Sequence, residues 1–246
     1  MSLQPPDGLA DHLLPTLFSK TFFLVSVQLL ATWLTTHIVF RFFLDVDPQL
    51  AATSGSDQNI ATNVKPKWHW VFTKVSFNAI LILWFATFFV LLWWGVNQPL
   101  PLAFSLFTLW SFITGVMLEY VLITFDQGFG QRMIALTATV IFACAVVGIY
   151  SGIDFGFLQI PLFVALTGLV GFNIFRLFGA MKSVRQGLVS GFGIVLFTLY
   201  LLFDFNSLEK RQAAGDNGWP EAMTMSIKIY LDAINLLLNL LSRHHH

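Results

Sequence analysis

Tyr230-Leu-Asp-Ala-Ile-Asn-Leu-Leu-Leu-Asn-Leu-Leu241 sets a carboxylate, Asp232, inside an apolar stretch long enough to cross a bilayer. A second carboxylate, Asp204, closes the apolar stretch before it, Gly187 to Phe203. A charge at membrane depth costs on the order of 2.5–3.5 kcal/mol on insertion scales. Two of them on consecutive hydrophobic segments mark the first place to look for function.

The rest of the chain agrees that lipid is the solvent. Of its 246 residues 56% are hydrophobic and only 11% charged, with mean hydropathy +0.73; soluble domains carry about 25% charged residues. Net charge is zero, which gives no reason to expect a nucleic-acid partner. The single Cys144 has no internal disulfide partner and reads as a packing residue. Asp7 and Asp11 stand where a signal peptide would be basic. The terminal His244-His245-His246 reads as a purification-tag remnant, leaving residues 1–243 as a single seven-helix transmembrane domain.

A span needs about 20 mostly apolar residues. Seven candidates follow: Leu17–Phe43, Val75–Trp94, Leu102–Ile123, Met133–Tyr150, Gln159–Phe178, Ser183–Phe203 and Ala222–Leu241. Runs of Phe, Leu and Val without ten-residue alternation predict helices, not a barrel. The expected fold is therefore an all-α polytopic membrane protein of seven transmembrane helices. Two polar breaks, Asp45–Lys67 and Asn206–Pro220, read as loops, the second with Gly215 and Asn217-Gly218 as turn formers and Pro220 near the start of the last helix. Trp68, Trp70, Trp93, Trp94 and Trp219 flank spans as an interfacial belt would, while Trp33, Trp84 and Trp110 read as packing residues. Gly187-Leu-Val-Ser-Gly191, Gly168 and Gly171 predict close helix approach.

The last span carries a polar face. Lys228, Asp232, Asn235 and Asn239 follow steps of four, three and four, and so share one side of a helix. Such a stripe must face a bundle interior or a water-filled path. The bland reading is a hydrogen-bonded seam that holds helices together, but Asn alone would serve for that. Depth decides whether Asp204 joins the stripe. A sixth span running to Glu209 puts Asp204 roughly 7 Å from its end, and a seventh starting at Ala222 puts Asp232 roughly 15 Å in. The two then meet only if the seventh span starts later, near Ser226, or tilts. If they meet, they cannot both ionise cheaply. The pair becomes a proton sensor or a hard-oxygen site for a metal cation such as Ca²⁺. Glu119, in Gly115-Val-Met-Leu-Glu-Tyr120 near the end of span three, is a further ion ligand, a partner for Lys228, or a snorkelling interfacial acid. His37 reads as packed or interfacial.

Two segments carry a resemblance: Leu196-Phe-Thr-Leu-Tyr-Leu-Leu-Phe-Asp-Phe-Asn-Ser-Leu208 and Ile229-Tyr-Leu-Asp-Ala-Ile-Asn-Leu-Leu-Leu-Asn-Leu-Leu241. In sequence, order and separation they resemble the two C-terminal signatures of the Bax inhibitor-1 family, and the last of them is the specific one. Ser151-Gly-Ile-Asp-Phe-Gly-Phe-Leu158 and Gly171-Phe-Asn-Ile-Phe175 add weaker matches. The resemblance implies six helices surrounding a central C-terminal seventh, in a bacterial inner (cell) membrane. It also implies a pH-sensitive passive Ca²⁺ leak whose two-aspartate sensor maps onto Asp204 and Asp232. The implied partners are the lipid bilayer and Ca²⁺ or H⁺, with no cofactor beyond Ca²⁺ as permeant or bound ion, and no enzymatic activity. Two departures stand out. Gly95-Val-Asn-Gln-Pro-Leu-Pro101 has no basic residue where bacterial members carry a cluster, and Lys228 occupies a position that is usually small or apolar. Lys228 sits four residues before Asp232 and is placed to pair with it. The family topology puts the N-terminus in the cytoplasm. The distribution of Arg41, Lys65, Lys67, Lys74, Arg132, Arg176, Lys182, Arg185 and Arg243 against Lys20, Lys210 and Arg211 puts it outside.

Other classes compete on the same residues. A non-conducting regulatory protein acting through partner contacts fits the same spans. A lysine in a seventh span invites a retinal Schiff base at Lys228, but span three lacks a recognisable counterion and arginine arrangement. An intramembrane hydrolase would use the aspartates as an acid–base dyad, but no Gly-rich turn beside an Asp accompanies them.

Overall fold

The computed structural model describes residues 12–46, 64–66, 74–122, 127–177 and 186–243. It is all-helical in architecture, with seven helices long and apolar enough to cross a membrane. They are α1 (Leu17–Phe43), α2 (Lys74–Trp93), α3 (Leu100–Leu122), α4 (Gln127–Tyr150), α5 (Gln159–Leu177), α6 (Gln186–Ala213) and α7 (Trp219–Arg243). A short antiparallel ribbon, Leu44–Val46 with Val64–Pro66, lies within the predicted first loop. The protein is an integral multi-pass membrane protein in contact with the bilayer. Large apolar side chains left on its surface, among them Ile82, Phe142 and Ile160, are those that lipid solvates. The predicted Trp68 and Trp70, and the side chains of Arg41, Lys65, Lys67, Lys74, Arg176, Lys182 and Arg185, lie outside the described residues, as do His244–His246.

The chain forms two compact units, Met1–Phe22 with Met133–His246, and Phe23–Arg132. In the second, α1 and α3 run side by side. Gln28 Nε2 donates to Thr108 Oγ1 at 3.1 Å, and Thr36 Oγ1 to the Gly115 carbonyl at 3.2 Å. The backbones meet at Gly115, where a Cβ would lie 2.6 Å from the Thr32 carbonyl oxygen. Trp84 of α2 donates from Nε1 to Thr114 Oγ1 at 2.8 Å and packs against Trp110, which is fully buried. Trp84 and Trp110 are therefore packing residues. Trp33 is not: it is exposed and stacks on exposed His37 at 5.7 Å.

In the first unit one side chain joins α6 to α4 and to the connection that leads into α5. Asn206 Nδ2 donates to the Gly148 and Ile153 carbonyls, and its Oδ1 accepts from the Phe155 N–H at 3.0 Å. α4 lies against α6 because Gly148 has no side chain: a Cβ there would be 2.8 Å from Phe205 Cβ and 3.0 Å from the Leu202 carbonyl oxygen. Cys144 packs on the same seam, buried, with Sγ 3.6 Å from the Thr198 carbonyl. Of the glycines named for close helix approach, only Gly191 comes near another helix, where a Cβ would lie 4.0 Å from Arg243 Nη1 of α7. Gly168, Gly171 and Gly187 face open space and a shallow groove of about 360 Å³ between α5 and α6, lined by Ala165, Leu169, Phe172, Leu188, Val189 and Phe192 besides Gly168. Small residues permit close approach but do not compel it. The close approaches fall at glycines whose partner helix is in place.

The α6–α7 hairpin differs from its expected form. α6 continues through Asn206 to Ala213, ten residues past Phe203, because its last turns stay helical after the sequence turns polar. It ends where Gly215 takes φ +85°, with Asp216 N–H bonded to the Arg211 carbonyl and Gly215 N–H to the Gln212 carbonyl. That pair of bonds with a left-handed glycine is a Schellman stop. An Arg211–Glu221 ion pair ties the two helices across the turn. The turn also holds the start of α1, whose first N–H groups lack helical partners. Leu17 N–H donates to Asn217 Oδ1 and Phe18 N–H to Gln212 Oε1, at 3.1 and 3.0 Å. Lys20 Nζ reaches the Asn217 carbonyl and lies 4.9 Å from the centre of the Trp219 ring. Trp219, at the start of its span, is thereby buried under a cation, whereas Trp93 and Trp94 are exposed.

Candidate ion and proton site

α7 is the most enclosed of the described spans: 61% of its most apolar 18-residue stretch is buried, against 6% for that of α5 and no more than 39% for any other. A helix so enclosed must neutralise every polar group it carries. Asp232 is 7% exposed, Asp204 on the facing side of α6 is 3% exposed, and the two carboxyls lie within hydrogen-bonding reach of each other.

Their meeting follows from side-chain direction. Asp204 lies nine residues before the end of α6 and Asp232 thirteen after the start of α7. At 1.5 Å per residue that leaves them about 6 Å out of level. The later start near Ser226 that would have levelled them does not occur, since α7 begins at Trp219, before the expected Ala222. In an α-helix, however, each side chain leans toward its own N-terminus. In an antiparallel hairpin Asp204 therefore leans away from the turn and Asp232 toward it, and the lean closes the gap.

The other members of the predicted stripe separate. Asn235 and Asn239 are half-buried and turn their Nδ2 groups back onto the carbonyls of Leu231 and Asn235, at 2.9 and 2.8 Å. Asn239 fills the space that Gly193 leaves on α6, where a Cβ would overlap its amide. Lys228 is exposed, and among the described residues no carboxylate pairs with it. This corrects the expected ion pair with Asp232. The ammonium still lies near enough to act on the charge of both aspartates, and Tyr200, one turn before Asp204, lies in the field of both. Glu119 belongs to the other unit and is 3% exposed, a buried acid and not a snorkelling one. Among the described residues no three His, Cys, Asp or Glu side chains gather to hold a metal ion.

The sequence resembles one family over two segments; the whole chain settles the matter. Residues 14–243 match the family described as inhibitor of apoptosis-promoting Bax1. The chain belongs to the Bax inhibitor-1 family. Among its relatives, an uncharacterized membrane protein of Streptococcus pyogenes serotype M6 is 29% identical over 60% of this chain and 65% of its own length. The chain thus covers just under two thirds of that relative. The protein LIFEGUARD 1 of Arabidopsis thaliana is 31% identical over 70% of this chain and 69% of its own. A protein of Borreliella burgdorferi is 26% identical over 68% and 74%. For this Bax inhibitor-1 family protein, bacterial relatives of that kind agree with a place in the cell membrane.

Sequence reasoning passed over one polar group beside the hairpin. Asp154, within the Ser151–Leu158 segment, accepts from the Gly156 N–H at 2.6 Å, opening the 3-10 turn Phe155–Leu158, and pairs with Lys210 of α6. The Asp-x-Gly spacing is the signal for such a turn. The Lys210 hydrogen bond, then the Gly156 N–H, hold this carboxyl below its ordinary range. The sign follows: the ionised form is favoured in the folded protein, so its contribution is present above the ordinary carboxylate range and lost as pH falls through the lowered value. Carboxyl NMR should find Asp154 titrating below a free aspartate, and Lys210→Gln should move it back up. An unchanged midpoint in Lys210→Gln would show that the lysine does not hold it.

Proposed function

We propose that this protein is a passive cation leak, with Ca²⁺ as its principal ion, gated by the protonation of Asp204 and Asp232. The observation that supports this is that two buried carboxyls on the last two spans lie close enough to share a hydrogen bond. Such a bond exists only while one of the two holds a proton. Removing that proton sets two carboxylates face to face and replaces attraction with repulsion. The arrangement of α6 against α7 thus has a proton-dependent term at its centre, which is what a gate needs. Ca²⁺ takes six to eight oxygens, and two aspartates supply at most four. That suits a site an ion passes through better than one that retains it. Lys228 supplies a repulsive charge nearby, competing with a divalent ion for the same carboxylates.

The test is Ca²⁺ entry into dye-loaded liposomes containing the purified protein, across a pH series. Flux that changes with pH in protein-containing but not empty liposomes is the expected result; no flux at any pH would favour a non-conducting protein working through partner contacts. Lys228→Gln should raise Ca²⁺ flux by about two- to fivefold, the range of a partly solvated charge pair. Flux equal to the parent's would remove Lys228 from the ion's path.

A further inference from the structure

The α1–α3 seam of the Phe23–Arg132 unit carries polar atoms that the aspartate site does not use. Gln28 lies eleven residues into the first span and is fully buried; so is Ser111 on α3. The orientation of the Gln28 amide is fixed by its neighbour. Thr108 Oγ1 gives its only proton to the Phe104 carbonyl, at 2.9 Å, so it must accept from Gln28 Nε2. Among the described residues Gln28 Oε1 is left as an acceptor with no partner, and Ser111 Oγ likewise has none. Their backbones are one turn apart and joined through Thr32, whose Oγ1 lies 2.9 Å from the Gln28 carbonyl and 3.3 Å from that of Ser111. Toward the end of α3 the seam is shut by the contact of Gly115 with Thr32 and Thr35.

A lone orphaned polar atom in a span is costly, and the unfolded segment would hydrogen-bond it elsewhere. Two on facing helices of one seam, one an acceptor and the other able to donate, are the two kinds of group that a bridging water bonds. Buried waters typically take about three bonds from such groups. We propose that the α1–α3 seam holds an enclosed bound water, seated between Gln28 Oε1 and Ser111 Oγ at mid-membrane. It acts as the third party in the packing of these two helices. The site is closed beyond Gly115, so the water is resident and not part of a through-path.

Two measurements on the full chain in nanodiscs test this. Pulsed-X-ray hydroxyl-radical labelling in H₂¹⁸O marks side chains beside bound water. Fully buried Trp110 and Phe107 should be labelled in the parent and lose that label in Gln28→Met/Ser111→Ala. Labelling at the level of an apolar buried residue in the parent would overturn the proposal. Thermal unfolding gives an opposite-sign check. If water bridges the two groups, Gln28→Met and Ser111→Ala each lower the midpoint and the double variant is less destabilised than their sum. If the groups are simply orphaned, Ser111→Ala removes a buried unsatisfied atom and its midpoint rises, Gln28→Met loses its bond to Thr108 as well, the two effects add, and no water is bound.

Discussion

Liposomes carrying Asp204→Asn or Asp232→Asn protein should show Ca²⁺ flux that no longer follows pH. Coupling of one proton to a two-state arrangement is worth about 1.4 kcal/mol per pH unit, or about tenfold in population. The parent's flux should approach that slope over part of the titration. In either variant an amide replaces one acid. It donates to the remaining carboxylate at every pH, so the hydrogen bond between α6 and α7 persists without a titrating proton. The pH response should shrink to less than about twofold per unit by the same arithmetic. Each single substitution suffices because the coupling needs both acids. If the double variant keeps the parent's pH profile, the sensor lies elsewhere.

The second large effect is structural. Gly148→Leu forces a side chain into a seam where even a Cβ would sit 2.8 Å from Phe205 Cβ and 3.2 Å from the Asn206 backbone nitrogen. The obstacle on α6 is largely backbone and a Cβ, neither of which can rotate away. Overpacking by one or two methylenes costs typically about 1–3 kcal/mol, and a whole isobutyl group against backbone more. Asn206→Leu attacks the same junction by subtraction, leaving the Phe155 N–H and the Gly148 and Ile153 carbonyls without that partner. At about 1–3 kcal/mol for a buried group left unpaired, the loss should reach several kcal/mol and fall mainly on the N–H. Thermal melts in detergent should place both variants well below the parent. Gly148→Leu melting with the parent would mean that α4 and α6 are not in contact at this level.

The spans were legible because lipid imposes a single strong filter, and α1 was read to the residue from it. Helix ends were not. α6 outlasts its hydrophobic run because Asn206–Ala213 remain good helix formers once in water; the stop at Gly215 was written in the sequence but read only as a turn former. The aspartate pair was legible as a chemical suggestion from two charges on consecutive spans. Its geometry depended on the lean of side chains in an antiparallel hairpin, which spacing alone does not reveal. Asn206, Gly148, Gln28 and Ser111 left no trace, since a neutral amide or a glycine becomes informative only when its neighbour across the seam is known. Lys228 shows the converse: four residues from Asp232 on one helix, it lies on an exposed part of it.

The caps on the first turn of α1 set an order of events in biosynthesis. Leu17 and Phe18 emerge from the ribosome early, but the side chains that complete their helix, Asn217 and Gln212, are encoded 200 and 194 residues later. At about 5–20 residues per second, the first helix waits roughly 10–40 s for its own beginning to be finished. Through that interval its leading N–H groups and the Lys20 ammonium have only water or headgroups to satisfy them. The last hairpin to be made is thus also the clasp that fastens the first helix, and a nascent chain stalled before Asn217 would hold its opening span in the membrane unfastened.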